Sequence, residues 1–283
     1  PTASAAPDDW GVQRDPFDPK EIAIYKGILA RNPHDNGALA KLLEKYRRYR
    51  TVDLLKEEYT KALAKSDDWA TLVVLGHLYR KTGDDPRAMD AWNKAVAKKD
   101  TDALTWLAIG ELHKVGGKNK EARTAYDKAL AATAATQKDM RKKALRALAD
   151  LALATNDIDA ANAYFKQFLD LEPNNAQLWI ERGDAMLQAG KRDVALESYA
   201  AAEKLLGSDP SRKIEVVARR GQALEQMGKE DEAVTEYRRA IKLAPAGYYL
   251  EIELTNRIID IYRKKQARPA LPAQYEPQGP EGS

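Results

Sequence analysis

The chain has 283 residues and a mass of 31.5 kDa, with 44% aliphatic or aromatic residues and 31% charged ones, proportions of a folded protein rather than a disordered one. Forty-six Lys and Arg against 43 Asp and Glu leave a net charge of +3 and a pI near 8.8, too little positive charge for a polybasic nucleic-acid binder. Cysteine is absent, which excludes disulfides, thiolate metal sites and thiol nucleophiles, and no apolar run approaches the roughly 20 residues that cross a bilayer, so direct membrane insertion is not expected.

The first stretch, 1–17, begins with small residues and carries Pro7, Trp10, Pro16 and Phe17. It reads as a flexible arm, with the alternative that Trp10 and Phe17 pack onto the helical array because bare aromatics are costly in water. A small-residue start without Met also suits a chain from which an export signal has been removed. The expected location is therefore the periplasm or cell envelope, with the cytoplasm as the alternative. From Asp18 to Arg31 the pattern is a single helix, with Asp18 placed to cap it and Pro19 in its first turn.

Beyond residue 36 the chain repeats itself. With Ala176 as position 1, Trp179 falls at position 4, Gly183 at 8, Gly190 at 15, Ala195 at 20, Tyr199 at 24 and Ala202 at 27. Frames opened at 69, 103 and 214 reproduce this order, and those opened at 36 and 142 are more worn, with Leu43, Arg50 and Leu55 at positions 8, 15 and 20 of the first and Asn156 at 15 of the other. The start-to-start spacings are 33, 34, 39, 34 and 38 residues. An aromatic stands at position 24 in all six copies: Tyr59, Trp92, Tyr126, Phe165, Tyr199 and Tyr237. Small residues at 8, 20 and 27 let two antiparallel helices approach, and the large residues at 4 and 24 fill the space around that approach. Gly at 15 suits a left-handed helix end, and Pro173 and Pro245 at position 32 stop the second helix.

The copies differ in informative ways. The first is the most basic, with eight Lys or Arg against four Asp or Glu between Asn36 and Lys65. Five extra residues come after the third copy and four after the fifth, about one helical turn each. These insertions predict that the helices opening the fourth and sixth copies are extended by a turn at their N-terminal ends. A last helix is expected over 248–265, and the Pro-rich stretch 266–283 reads as a disordered tail.

This arrangement resembles the tetratricopeptide-repeat family over residues 20 to 265. The resemblance implies an all-α, right-handed superhelical solenoid of antiparallel helix pairs. It would hold about six repeats in one domain over 18–265, with a half repeat over 18–33 and a capping helix over 248–265. The abundance of Ala in the array also suits a bacterial member. Such arrays are non-enzymatic scaffolds that bind partner proteins in a concave groove. Repeat positions 2, 5, 9, 12 and 13 of each first helix would line it. Here those positions and their neighbours supply Arg47, Arg48, Val73, His77, Arg80, Lys81, Leu107, Glu111, Lys114, Arg146, Asp150, Ile180, Asp184, Leu187 and Gln222. Val115, Tyr249 and Ile252 add apolar surface. The Lys, Asn and Arg clamp with which chaperone-binding members hold a C-terminal carboxylate is absent.

No catalytic constellation emerges from the sequence, and no cofactor is expected. His77 with Glu111 or His113 is the one conceivable metal set, outweighed by a structural role for these histidines. The expected partner is another protein, an acidic segment docking at Arg47, Arg48, Arg80 and Lys81. The setting that the resemblance suggests is assembly of a bacterial envelope complex such as a pilus, secretion or motility apparatus. The alternatives are a helical-repeat binder of single-stranded RNA and the interaction module of a larger enzyme. Oligomeric state is not legible.

Overall fold

The computed structural model describes residues 17–134, 136–207 and 210–267, in which fourteen α-helices and no strand are found. Trp10, the rest of the arm and the tail beyond 267 lie outside the described residues. The chain divides into two compact units, Pro1–Ala147 and Leu148–Ser283. Each is an all-α stack of antiparallel helix pairs.

The first unit holds α1 (Pro19–Arg31), α2 (Asn36–Tyr49), α3 (Val52–Lys65), α4 (Trp69–Lys81), α5 (Asp85–Lys98), α6 (Ala103–Val115), α7 (Asn119–Ala131) and the start of α8 (Lys138–Ala154). Most of its helices begin on a short polar side chain that accepts a backbone N–H of the first turn, as Asp18, Asp35, Thr51, Asp68 and Asp84 do. The ring of Trp92 on α5 lies flat over Gly76 of α4, and Tyr126 of α7 over Gly110 of α6, each filling the space a Cβ would need. The first pair departs from this. Position 8 is Leu43, a buried core residue, and its bulk keeps α2 and α3 less closely packed than α4 and α5. Phe17 packs edge-on against Tyr46 at 5.0 Å between ring centroids, with the guanidinium of Arg50 4.5 Å above it. This is the one part of the arm that the structure describes.

The second unit holds the remainder of α8, then α9 (Ile158–Leu171), α10 (Ala176–Gln188), α11 (Arg192–Leu205), α12 (Pro210–Gln226), α13 (Glu230–Leu243) and α14 (Leu250–Ala267). The ring-over-glycine contact recurs as Tyr199 on Gly183 and Tyr237 on Gly221. Helices α8 and α12 are 17 residues long where the other first helices have 13 or 14. They start at Lys138 and Pro210, four residues before repeat position 1, so the extra junction residues became helix as expected. In this unit the turn between paired helices takes a positive φ at position 15, whereas Arg50 at that position of the first copy has φ −143°. Glycine supplies it at Gly190 and Gly228, while Asn156, with φ 57°, takes the same conformation between α8 and α9.

Candidate functional site

In the first unit the predicted cations fall into two groups. Arg47, Arg48 and Lys81 are exposed, and among the described residues no carboxylate pairs with any of them. Arg80 and Lys114 are already engaged: Arg80 donates to Asp85 at 2.8 Å, and Lys114 lies 3.6 Å from Glu111. Glu111 also accepts the Tyr126 hydroxyl at 2.9 Å. Leu107 is half-buried, and Val115 at the end of α6 is 60% exposed. Arg146 is half-buried in this unit and Asp150 exposed in the next.

Val73, Ile180 and Leu187 do not line a binding surface. All three are buried, Val73 against Leu72 and Ala95, Ile180 and Leu187 in the core around Phe165, Met186 and Tyr199. Their burial comes from packing against neighbouring helices, whereas at the same position 5 Leu107 is half-buried and Ala40 exposed.

His77 is also not presented to a partner. Its Nε2 lies 3.0 Å from Nδ1 of His34, whose Nε2 lies 3.0 and 3.1 Å from the two carboxylate oxygens of Asp102, which in turn accepts the Thr105 hydroxyl. The chain of bonds joins the turn after α1, the middle of α4 and the start of α6, and both His34 and Asp102 are nearly buried. Trp92 stacks edge-on against His77 at 5.4 Å. An ionised carboxylate only accepts, so the proton on His34 Nε2 points at Asp102. Burial, followed by the neighbouring His34 and Lys81, pushes His77 down to about 4, with Asp102 opposing the fall. Burial would raise Asp102, but the bonds from His34 and Thr105 outweigh it and hold its carboxyl below the usual carboxylate range. Asp102 begins α6 yet makes no capping bond with its side chain, because the carboxylate is turned to His34. Sequence inspection missed this cluster, since a histidine in a turn and an aspartate at a helix start look ordinary singly. Neither Glu111 nor His113 joins it, and among the described residues no group of three or more His, Asp or Glu is placed to hold a metal ion.

In the second unit Asp184 accepts the Tyr199 hydroxyl at 2.7 Å and the Arg219 Nε at 3.1 Å. One repeat further on, Glu225 accepts the Tyr237 hydroxyl at 2.7 Å and Arg257 at 3.3 Å. Each link joins a first helix to its own second helix and to the next first helix, so α10, α12 and α14 present one contiguous polar face. Gln222 sits there, in a cleft of about 450 Å³ lined by Glu215, Arg219, Tyr249, Glu253 and Arg257. A buried Arg182, 2% exposed, is the residue least foreseeable from composition. Its guanidinium donates to Asn162 at 3.0 Å and to Ser198 at 2.9 Å, which compensates its removal from water.

Paired helices with a small residue facing an aromatic ring, turned by a left-handed residue and repeated along both units, define a helical-repeat interaction module. Two family models described as tetratricopeptide repeat match residues 146–211 and 214–246. Residues 146–211 and 214–246 are thus tetratricopeptide repeats, and the same helix pairing recurs in the first unit. A 43-residue stretch is 46% identical to the formate-dependent nitrite reductase complex bifunctional subunit NrfFG of Haemophilus influenzae, covering 15% of this chain and 11% of that one. The chain thus spans only a small part of that relative. Among solved structures, the C-terminal part of a TPR repeat-containing protein from Cytophaga hutchinsonii superposes with a TM-score of 0.58 at 16% identity, over 82% of this chain and 92% of that one. The type IV pilus biogenesis factor PilW gives a TM-score of 0.46 at 14% identity, over 79% and 96%.

Proposed function

We propose that this protein is a non-catalytic scaffold that captures an acidic segment of a partner protein on the first unit. The observation that carries this reading is the set Arg47, Arg48 and Lys81, exposed cations to which the described residues offer no carboxylate. Long-range attraction would steer an acidic segment to them, and Val115 with the accessible part of Leu107 would supply apolar contact. Arg80 contributes less, because Asp85 already neutralises it.

The test is a double reversal, Arg47→Glu with Lys81→Glu, measured by fluorescence anisotropy with a labelled Glu- and Leu-containing peptide. Affinity should fall about tenfold or more, and the difference from the parent should shrink as salt rises and screening shortens the reach of the charges. Unchanged affinity at low salt sinks the reading. An assembly role in a bacterial envelope complex is the setting proposed for this scaffold, and cell fractionation combined with capture by the parent but not by the double variant would identify the partner there.

A further inference from the structure

The first copy of the repeat departs from the others at one tyrosine. At position 24, Tyr126, Tyr199 and Tyr237 each donate to a carboxylate of the paired helix, Glu111, Asp184 and Glu225. Tyr59 holds the same position on α3, and its hydroxyl oxygen is buried with no hydrogen-bond partner among the described residues. The carboxylate that stands where Glu111 and Asp184 do is Glu44, which is exposed and paired with Lys41 at 3.3 Å. Beside Tyr59 lies a mainly apolar cavity of about 200 Å³, lined by Leu29 of α1, Ala62 of α3, and Ala70 and Val74 of α4. Lys26 and Glu58, paired with each other and partly exposed, complete its wall. An apolar cavity of roughly 150 Å³ admits benzene, so this one has room for a bicyclic ring.

The described part of the chain begins close to this cavity. Phe17 packs on Tyr46, whose ring lies 5.7 Å from Lys26 Nζ and whose hydroxyl donates to Glu58. Trp10 stands seven residues earlier in the sequence, and an extended chain of that length reaches up to about 24 Å. Between residues 1 and 16 it is the one aromatic side chain. We propose that the cavity beside Tyr59 holds the indole ring of Trp10, with the indole N–H donating to the Tyr59 hydroxyl oxygen. An indole is an apolar body with a single donor, which matches an apolar cavity holding one unpartnered oxygen. A link of this length would keep the ring at an effective concentration on the order of 1 mM, so a modest affinity suffices to seat it. Seated there, the ring would join α1, α3 and α4 beside the pair that Leu43 holds apart. The arm would then belong to the core of the first unit.

The experiment is hydrogen exchange by NMR on the isotope-labelled full chain, in which five tryptophans give five indole N–H signals and Trp10→Phe identifies that of Trp10. In the cavity this N–H should exchange with solvent about tenfold or more slowly than that of free N-acetyltryptophanamide. Tyr59→Phe removes the acceptor, and Ala62→Leu, at an exposed residue of the lining, fills the space. Each should return the exchange towards the free rate, and either variant decides the matter if the other fails to fold. A Trp10 N–H that exchanges at the free rate in the parent overturns the proposal. So does protection that survives in both variants, or that appears only as concentration rises, which would put the ring on a second copy. Capture of an acidic peptide at Arg47 and Lys81 is a separate measurement, and neither result decides the other.

Discussion

The cluster of His34, His77 and Asp102 gives the molecule a specific acid sensitivity, and His77→Gln isolates it. The glutamine amide can still bond to His34 but cannot titrate. In the folded chain His77 is pushed down to about 4 from an ordinary value of 6.5, chiefly by burial, and that difference amounts to about 3 kcal/mol between folded and unfolded states. A depressed value on a base means that the unfolded chain binds the proton more readily. The contribution is therefore complete above pH 6.5, declines as pH falls from 6.5 towards 4, and is lost below that. The structural reason is the burial of the His77 ring, whose charged form would be out of water and beside His34 and Lys81.

Urea denaturation at pH 7, 6, 5 and 4 reads this out by tryptophan fluorescence, for which Trp92 at 5.4 Å from His77 and Trp69 at 6.4 Å from His34 are local reporters. At pH 7 the variant should lie within about 1 kcal/mol of the parent, the net worth of one hydrogen bond. Between pH 7 and pH 4 the parent should lose about 3 kcal/mol more than the variant. Asp102, held below its ordinary value, adds a further loss only as pH falls through and below the usual carboxylate range, and it does so in both proteins. Parallel pH curves for the two proteins would refute the reasoning.

Two further substitutions test the packing. Gly183→Ala drives a Cβ into the Tyr199 ring and should cost about 1–3 kcal/mol, seen as a lower melting temperature. Combining it with Tyr199→Leu should cost less than the sum of the two single changes, because the ring is what the methyl meets. Asn156→Gly relieves a non-glycine residue at φ 57°. By thermal denaturation it should be neutral or stabilising by less than about 1 kcal/mol, the glycine gaining in the turn what it loses in unfolded-chain entropy.

The fold was legible because it is a matter of residue size at fixed spacing. Glycine at 76, 110, 183 and 221 and an aromatic 16 residues later are local facts, and the structure places each ring on its glycine. The lengthened α8 and α12 came from counting junction residues. The surface was less legible, because exposure depends on how neighbouring pairs close over one another. Val73 and Ile180 are buried at the same repeat position at which Leu107 is half-buried and Ala40 and Ile252 are exposed, so the place in the repeat does not by itself set exposure. Relations across 43 and 68 residues, such as His34 with His77 and with Asp102, leave no periodic trace. Arg182 has the same character: its acceptors Asn162 and Ser198 lie on two other helices, and nothing in the spacing announces them.

Three of the tyrosines at position 24 tie the framework to a carboxylate on the surface of the stack. The ring of Tyr199 is buried over Gly183 and holds α11 against α10, while its hydroxyl reaches Asp184 at the polar face. Tyr126 with Glu111 and Tyr237 with Glu225 do the same. Burial, then the bond to the carboxylate, pushes the Tyr199 and Tyr237 phenols far above the ordinary range, so each stays a donor at any physiological pH. Each carboxylate is therefore an acceptor tied to the core and held in position by it. The same tie means that removing Asp184 or Glu225 strips a largely buried hydroxyl of its acceptor, at about 1–3 kcal/mol. Replacement by Asn or Gln keeps the acceptor and removes only the charge. For these positions the amide, not alanine, separates an effect on binding from an effect on the stack.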